Sequence, residues 1–143
     1  MLTKGPIVSI EDDQDDQFLI KSVFTELGVE NELLFFNNGK LALDYLCTTQ
    51  RQPFLILCDV NMPIMNGLEL HQAIAESDFL RKKAIPFVFL TTAANATLVN
   101  QAYFQSVQGF YQKANTYEDL KQQMKSIYEY WQGCLHPNSY LVQ

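Results

Sequence analysis

Five of the six residues from 11 to 16 are acidic, Glu11, Asp12, Asp13, Asp15 and Asp16, and they stand directly behind the apolar run "IVSI". Further along, one apolar run ends at Asp59, with Asn61 and Pro63 just beyond it. Another ends in Thr91 and Thr92, and a last one leads into Lys113. Crowded carboxylates raise one another's pKa unless water or a positive charge joins them, so the cluster needs a partner. Carboxylates around an oxygen-lined gap suit Mg²⁺ (or Mn²⁺), a hard cation that takes few protein ligands and keeps several waters. Beside such an ion, one carboxylate can attack a phosphoryl group while the metal, a hydroxyl and an ammonium neutralise its oxygens. Asp12 and Asp59 supply the acids for that chemistry, Thr91 the hydroxyl and Lys113 the ammonium.

Each of these residues also has a plainer reading. Acids ahead of a helix cap it and complement its dipole, and this is the reading taken for Asp15 and Asp16. Asp59 could cap a turn, Thr91 could make a local strand-end hydrogen bond, and Lys113 could be a solvated surface lysine. None of these readings explains why acid, acid, hydroxyl and lysine should close successive apolar runs in that order. The joint pattern favours a site.

The elements that must position these residues alternate along the chain. The apolar runs at 7–10, 33–36, 54–58 and 87–90 do not alternate with polar residues, which suits strands buried on both faces; "GFYQ" at 109–112 makes a fifth. Helical spacing separates them. Phe18, Leu19, Val23, Phe24 and Leu27 share one face and stop at Gly28. Leu41, Leu43, Tyr45 and Leu46 follow Asn38, and Leu68, Leu70, Ala73 and Ile74 form a third helix. A weaker period runs over 94–105. The last is the clearest: Tyr117, Leu120, Met124, Ile127, Tyr128 and Trp131, with Thr116 and Asp119 spaced as a capping box and Gly133 as a stop. Strand then helix, five times over, predicts an α/β fold: a doubly wound five-stranded parallel sheet with helices on both faces. Ligands of such a sheet bind beyond the carboxyl ends of its strands.

Composition narrows the function. The 143 residues suit a single domain, with a core over about 5–132 and a tail at 133–143 too short for an output domain. A net charge of −6 and a pI near 4.7 argue against nucleic acid and against an anionic membrane surface. Cys47, Cys58 and Cys134 lack the paired spacing of a zinc site or a disulfide framework and suit a reduced cytoplasm. No apolar run reaches the roughly eighteen residues of a membrane span, and no signal peptide is evident. Neither a P-loop nor a dinucleotide fingerprint appears. His71 reads as solvated, His136 lies in the tail, Cys58 reads as a small core residue, and the tail could dock through Tyr140 and Leu141 or serve a dimer.

The segments "IEDDQDD", "CDVNMPIMNGLEL", "PFVFLTTA" and "GFYQKA" resemble the motif set of the response-regulator receiver domain, of the single-domain chemotaxis-regulator type, across roughly residues 5–132. The resemblance implies a flavodoxin-like sheet of strand order 2-1-3-4-5. It makes Asp59 the phosphoacceptor and Asp12 a direct Mg²⁺ ligand, with Glu11 acting mainly through water or orientation and Asn61 giving its backbone carbonyl. Thr91 would hydrogen-bond a phosphoryl oxygen, Lys113 would pair with the phosphate, and Phe110 would be the rotating aromatic of the switch. The donor would be a histidine kinase or phosphotransfer protein. Turnover would be limited to the protein's own phosphorylation and dephosphorylation, and the location would be cytoplasmic.

Four positions depart from the family pattern. Ala114 follows Lys113 where proline is usual, so a trans or a strained peptide is expected there. Phe110 stands for tyrosine, Asn66 for aspartate and Gln14 for proline. None removes a group the chemistry requires.

From 84 to 112 there is no charged residue, although charge makes up 18% of the chain. This stretch could form a face for an unknown downstream protein or a homodimer, built from 94–105, 109–112 and the last helix. It could equally be two core strands and a small-residue helix. Two alternatives to a phosphoreceiver stay open: a receiver-like interaction module that is never phosphorylated, and a flavodoxin-like or phosphohydrolase enzyme. Against the enzyme, the acids after strand one would repel a flavin phosphate, and Asn61 stands where aspartate phosphatases carry a second acid.

Overall fold

A computed structural model describes residues 5–135 and 140. Five strands, β1 (Ile7–Ile10), β2 (Leu33–Phe36), β3 (Leu55–Cys58), β4 (Phe87–Thr91) and β5 (Gly109–Gln112), form one parallel sheet in the order β2-β1-β3-β4-β5. Between and after them come α1 (Gln14–Glu26), α2 (Gly39–Thr48), α3 (Gly67–Glu76), α4 (Asp78–Lys83), α5 (Ala96–Phe104) and α6 (Tyr117–Gly133).

The apolar runs are unbroken because the central strands are covered twice. Val8, Ile10, Ile56, Cys58, Phe87 and Phe89 point to one face and meet Ala42 and Leu46 of α2, Leu70 of α3, Leu80 of α4 and Ala102 of α5. Their neighbours Ile7, Leu55, Leu57, Val88 and Leu90 point to the other face and meet Ile20, Val23 and Phe24 of α1 and Leu120, Met124 and Ile127 of α6. A period of two on the strands thus splits one apolar run between two cores.

Helix ends follow local chemistry. Asp13 caps α1, its carboxylate accepting from the backbone N–H groups of Asp15 and Asp16. Asn66 and Glu69 form a reciprocal capping box at α3. Thr116 accepts from the Asp119 N–H at α6. Gly28 takes a positive φ of 73°, which lets the chain reverse after α1.

The structure departs from the sequence expectations in several places. Phe18 and Leu19 are exposed, and the buried stripe of α1 is Ile20, Val23 and Phe24. Leu41 is exposed as well, and Ala42 with Leu46 carries the contact of α2. The third strand begins at Leu55 and the fourth extends to Thr91. α4 was not expected: its six residues carry one buried apolar side chain, Leu80, which is too few to show a period. His71 is buried, not solvated; its Nδ1 lies 3.2 Å from Gln105 Oε1 and its ring packs edge-on to Phe87 at 4.8 Å. Burial outweighs the Gln105 hydrogen bond and lowers its pKa, so the ring sits neutral between α3 and the end of α5. Tyr140 is exposed, and His136 and Leu141 lie outside the described residues.

Candidate functional site

Parallel pairing assembles the site. Ile10 lies beside Cys58 in the β1–β3 register, and the Asp59 N–H donates to the Ile10 carbonyl at 3.0 Å. The residues that follow these two strands, Glu11 and Asp12 on one side and Asp59 on the other, therefore emerge together at the carboxyl edge of the sheet. One carboxylate oxygen from each of Glu11, Asp12 and Asp59 lies within 4.8 Å of the others. The group runs from buried Glu11 through half-buried Asp59 to exposed Asp12, so it opens to solvent on one side. Three hard oxygen donors that converge beside a solvent opening fit an ion that keeps part of its water shell.

Asp59 is held in one orientation. Its Oδ1 accepts from the Val60 N–H at 2.7 Å, and no protein hydrogen bond is seen to Oδ2 among the described residues. The buried Cys58 thiol donates to the Asp59 carbonyl, and its pKa is pushed up by burial and by the charges of Asp59 and Glu11, so it stays a neutral core group. Behind Asp59 the backbone passes Gly67 so closely that a Cβ there would lie 2.2 Å from the Asp59 carbonyl oxygen and 2.8 Å from the Phe89 ring. Neither the backbone nor the buried ring can yield cheaply. Gly67→Ala should lower the unfolding free energy by about 1–3 kcal/mol, read as a lower urea midpoint at unchanged slope; an unchanged midpoint would show that the β3–α3 loop is softer than this contact implies.

Lys113 leaves β5 with its backbone N–H bonded to the Thr91 carbonyl. Its Nζ donates to Glu11 Oε1 at 2.7 Å and to Asp16 Oδ2 at 2.9 Å, with the lysine side chain 5% exposed. The other Glu11 oxygen accepts from the Asp13 N–H. Burial works against the Lys113 ammonium, yet hydrogen bonds and charge from Glu11 and Asp16 outweigh it and hold the pKa above the usual lysine range. Burial also pushes the Glu11 carboxyl up to about 7, with Lys113 pulling against that and the Asp59 charge adding to it.

The Glu11 shift has a sign that can be tested. Unfolded, the carboxyl ionises near its usual 4.5; folded and metal-free, it keeps its proton to about pH 7. The folded state therefore binds more protons across that window, and this group's contribution to stability falls as pH rises through it. A cation needs the ionised form, so Mg²⁺ affinity should rise between about pH 6 and about pH 8, with proton release seen as buffer-dependent heat in calorimetry. Equal affinity at both values would show that Glu11 is already ionised.

Thr91 closes β4 and is buried, its hydroxyl oxygen accepting from the Ala93 N–H at 3.3 Å. Phe110 is half-buried against Phe89, with ring centres 5.7 Å apart. Asn61 is exposed, two residues beyond Asp59. No peptide bond among the described residues is cis, so Lys113–Ala114 is trans. The structure thus gathers Glu11, Asp12, Asp59 and Lys113, sets Thr91 on the same sheet edge, and leaves Asn61 and Phe110 outside the charged cluster.

Asp16 was missed. Sequence reasoning assigned it to helix capping, but Asp13 makes the cap and Asp16 pairs with Lys113. The available signal was topological: the first turn after strand one lies at the edge that strand five also reaches.

Comparison with known proteins agrees with this fold. The family model described as "Response regulator receiver domain" matches residues 7–125. The probable methanogenesis regulatory protein FilR2 of Methanothrix harundinacea is 34% identical over 131 residues, covering 89% of this chain and 83% of its own length. The response regulator Rcp1 of Synechocystis is 28% identical over 130 residues, with 87% of each covered. Among solved structures, the phosphorylated cyanobacterial phytochrome response regulator RcpA superposes with a TM-score of 0.81 at 29% identity, over 90% of this chain and 94% of that one. The Mn²⁺-bound form of Rcp1 gives 0.78 at 26% identity, over 92% and 96%.

The chain belongs to the response regulator receiver domain family, and its class is the receiver of two-component signalling. Receivers of this class are signalling proteins that interact with histidine kinases or phosphotransfer proteins and with downstream targets. No helix among the described residues is long and apolar enough to cross a membrane.

Proposed function

We propose that this receiver accepts a phosphoryl group on Asp59 from a histidine kinase or phosphotransfer protein and signals through altered protein binding. The observation that carries the reading is the convergence of Glu11, Asp12 and Asp59 beside the buried Lys113 ammonium. Two similar structures, one of a phosphorylated regulator and the other of a Mn²⁺-bound one, support it.

Glu11, Asp12 and Asp59, with the Asn61 backbone carbonyl, would hold Mg²⁺ or Mn²⁺; bound there, the ion supplies positive charge to the acids and to the incoming phosphoryl oxygens. Asp59 Oδ2, which the Val60 contact leaves open, is the attacking atom. Its new bond to phosphorus forms as the donor's own bond to phosphorus breaks. Thr91 donates a hydrogen bond from its hydroxyl to one phosphoryl oxygen and Lys113 donates one from its ammonium to another. Movement of Thr91 toward that group vacates space for Phe110, and the change reaches the face of α5, β5 and α6. Exposed Tyr111 of β5 and Tyr130 of α6 stand together on that face, which suits a downstream protein or a second copy of the chain.

A radiolabelled small acyl phosphate tests the phosphoryl step without any kinase. Labelling that needs Mg²⁺ and disappears with a chelator is expected. Absence of label at saturating donor and metal would leave an interaction module as the better description.

A further inference from the structure

Lys113 has three N–H donors, and two are occupied before any phosphoryl group arrives, by Glu11 Oε1 at 2.7 Å and Asp16 Oδ2 at 2.9 Å. The two acids hold it differently. Glu11 has a side chain 4% exposed and is tied by its second oxygen to the Asp13 N–H. Asp16 is 25% exposed on the first turn of α1, and no protein hydrogen bond to its other carboxylate oxygen is seen among the described residues. Turning Asp16 out to water costs little, whereas releasing Glu11 would strand a buried carboxylate.

We infer that Asp16 is a positioning residue that competes with the phosphoryl group for Lys113. This rests on the reading of Asp59 as phosphoacceptor. In the resting protein Asp16 draws the ammonium toward α1. When a phosphoryl dianion stands on Asp59, Lys113 keeps Glu11, gives up Asp16 and donates to a phosphoryl oxygen, while Asp16 returns to solvent. The strength of the Lys113–Asp16 pair therefore subtracts from the affinity of the site for a phosphoryl group. Asp16 is not one of the three converging carboxylates, so it does not act by holding the cation.

The test uses beryllofluoride, a phosphoryl mimic that joins a carboxylate oxygen without a turnover step, titrated calorimetrically into the full chain at fixed Mg²⁺. Asp16→Asn should bind it about twofold to fivefold more tightly, the range that a partly exposed ion pair supports. Loss of a negative charge would attract an anion in any case, so a double-mutant cycle with Lys113→Met isolates the pair. In the Lys113→Met background the Asp16→Asn gain should shrink to near unity, and the Mg²⁺ affinity of the Asp16→Asn single variant measured without beryllofluoride should stay within about twofold of wild type. An unchanged or weaker beryllofluoride affinity in Asp16→Asn, or an equal gain without Lys113, overturns the inference while leaving Asp59 as acceptor. A wild-type chain that binds no beryllofluoride overturns both.

Discussion

Asp59→Asn should take up no phosphoryl group from a small acyl phosphate, and it should do so while folding normally. The substitution keeps an oxygen able to accept the Val60 N–H that orients the side chain, but it replaces the attacking carboxylate with an amide. It also removes one negative charge from a crowd in which Asp59 helps raise the Glu11 pKa. The variant is therefore expected to be at least as stable as wild type without metal, and to bind Mg²⁺ less tightly because one of three converging oxygens has lost its charge. Radiolabel uptake and urea denaturation on the same sample check both halves. Residual labelling near the wild-type level would move the acceptor elsewhere; a large fall in stability would mean that Asp59 matters to the fold itself.

The second large effect concerns stability. Lys113→Met removes the ammonium that bonds both Glu11 and Asp16. Breaking a buried ion pair by deleting one partner typically costs about 3–5 kcal/mol, and because Asp16 regains water the lower end applies here. Against an expected total of roughly 5–15 kcal/mol this is a major loss. It has two signatures that a packing defect would lack. The deficit should narrow at acid pH, where Glu11 takes up a proton, and it should narrow when Mg²⁺ is added, since the cation replaces the missing charge. Urea midpoints at two pH values, each with and without Mg²⁺, give the comparison. A deficit indifferent to both would place the lysine's contribution in its aliphatic stem.

How much of this was legible in the sequence depended on range. The strands were readable because β1, β3 and β4 are buried on both faces, so a local run of apolar residues carries their whole environment. The order of chemical groups at their carboxyl ends was readable for the same reason: a parallel sheet brings all such ends to one edge. The contacts across that edge were less accessible. Asp16 and Lys113 are 97 positions apart, and nothing near either residue distinguishes an ion pair from a cap or a solvated lysine. His71 reads as polar on its own helix; only the approach of Gln105 from α5 and Phe87 from β4 buries it. On α1, Phe18 and Leu19 share the helical spacing of the core residues yet face solvent, because apolar spacing alone does not decide where the sheet lies. α4 escaped notice because a six-residue helix with one buried contact has no period to detect.

Crystals grown in Mn²⁺ test the central claim most directly, since anomalous scattering locates the ion without reference to any expected ligand. The account requires a single strong peak at about 2.0–2.4 Å from carboxylate oxygens of both Asp12 and Asp59, with Lys113 still bonded to Glu11. A peak held elsewhere, or none there at saturating Mn²⁺, would contradict it.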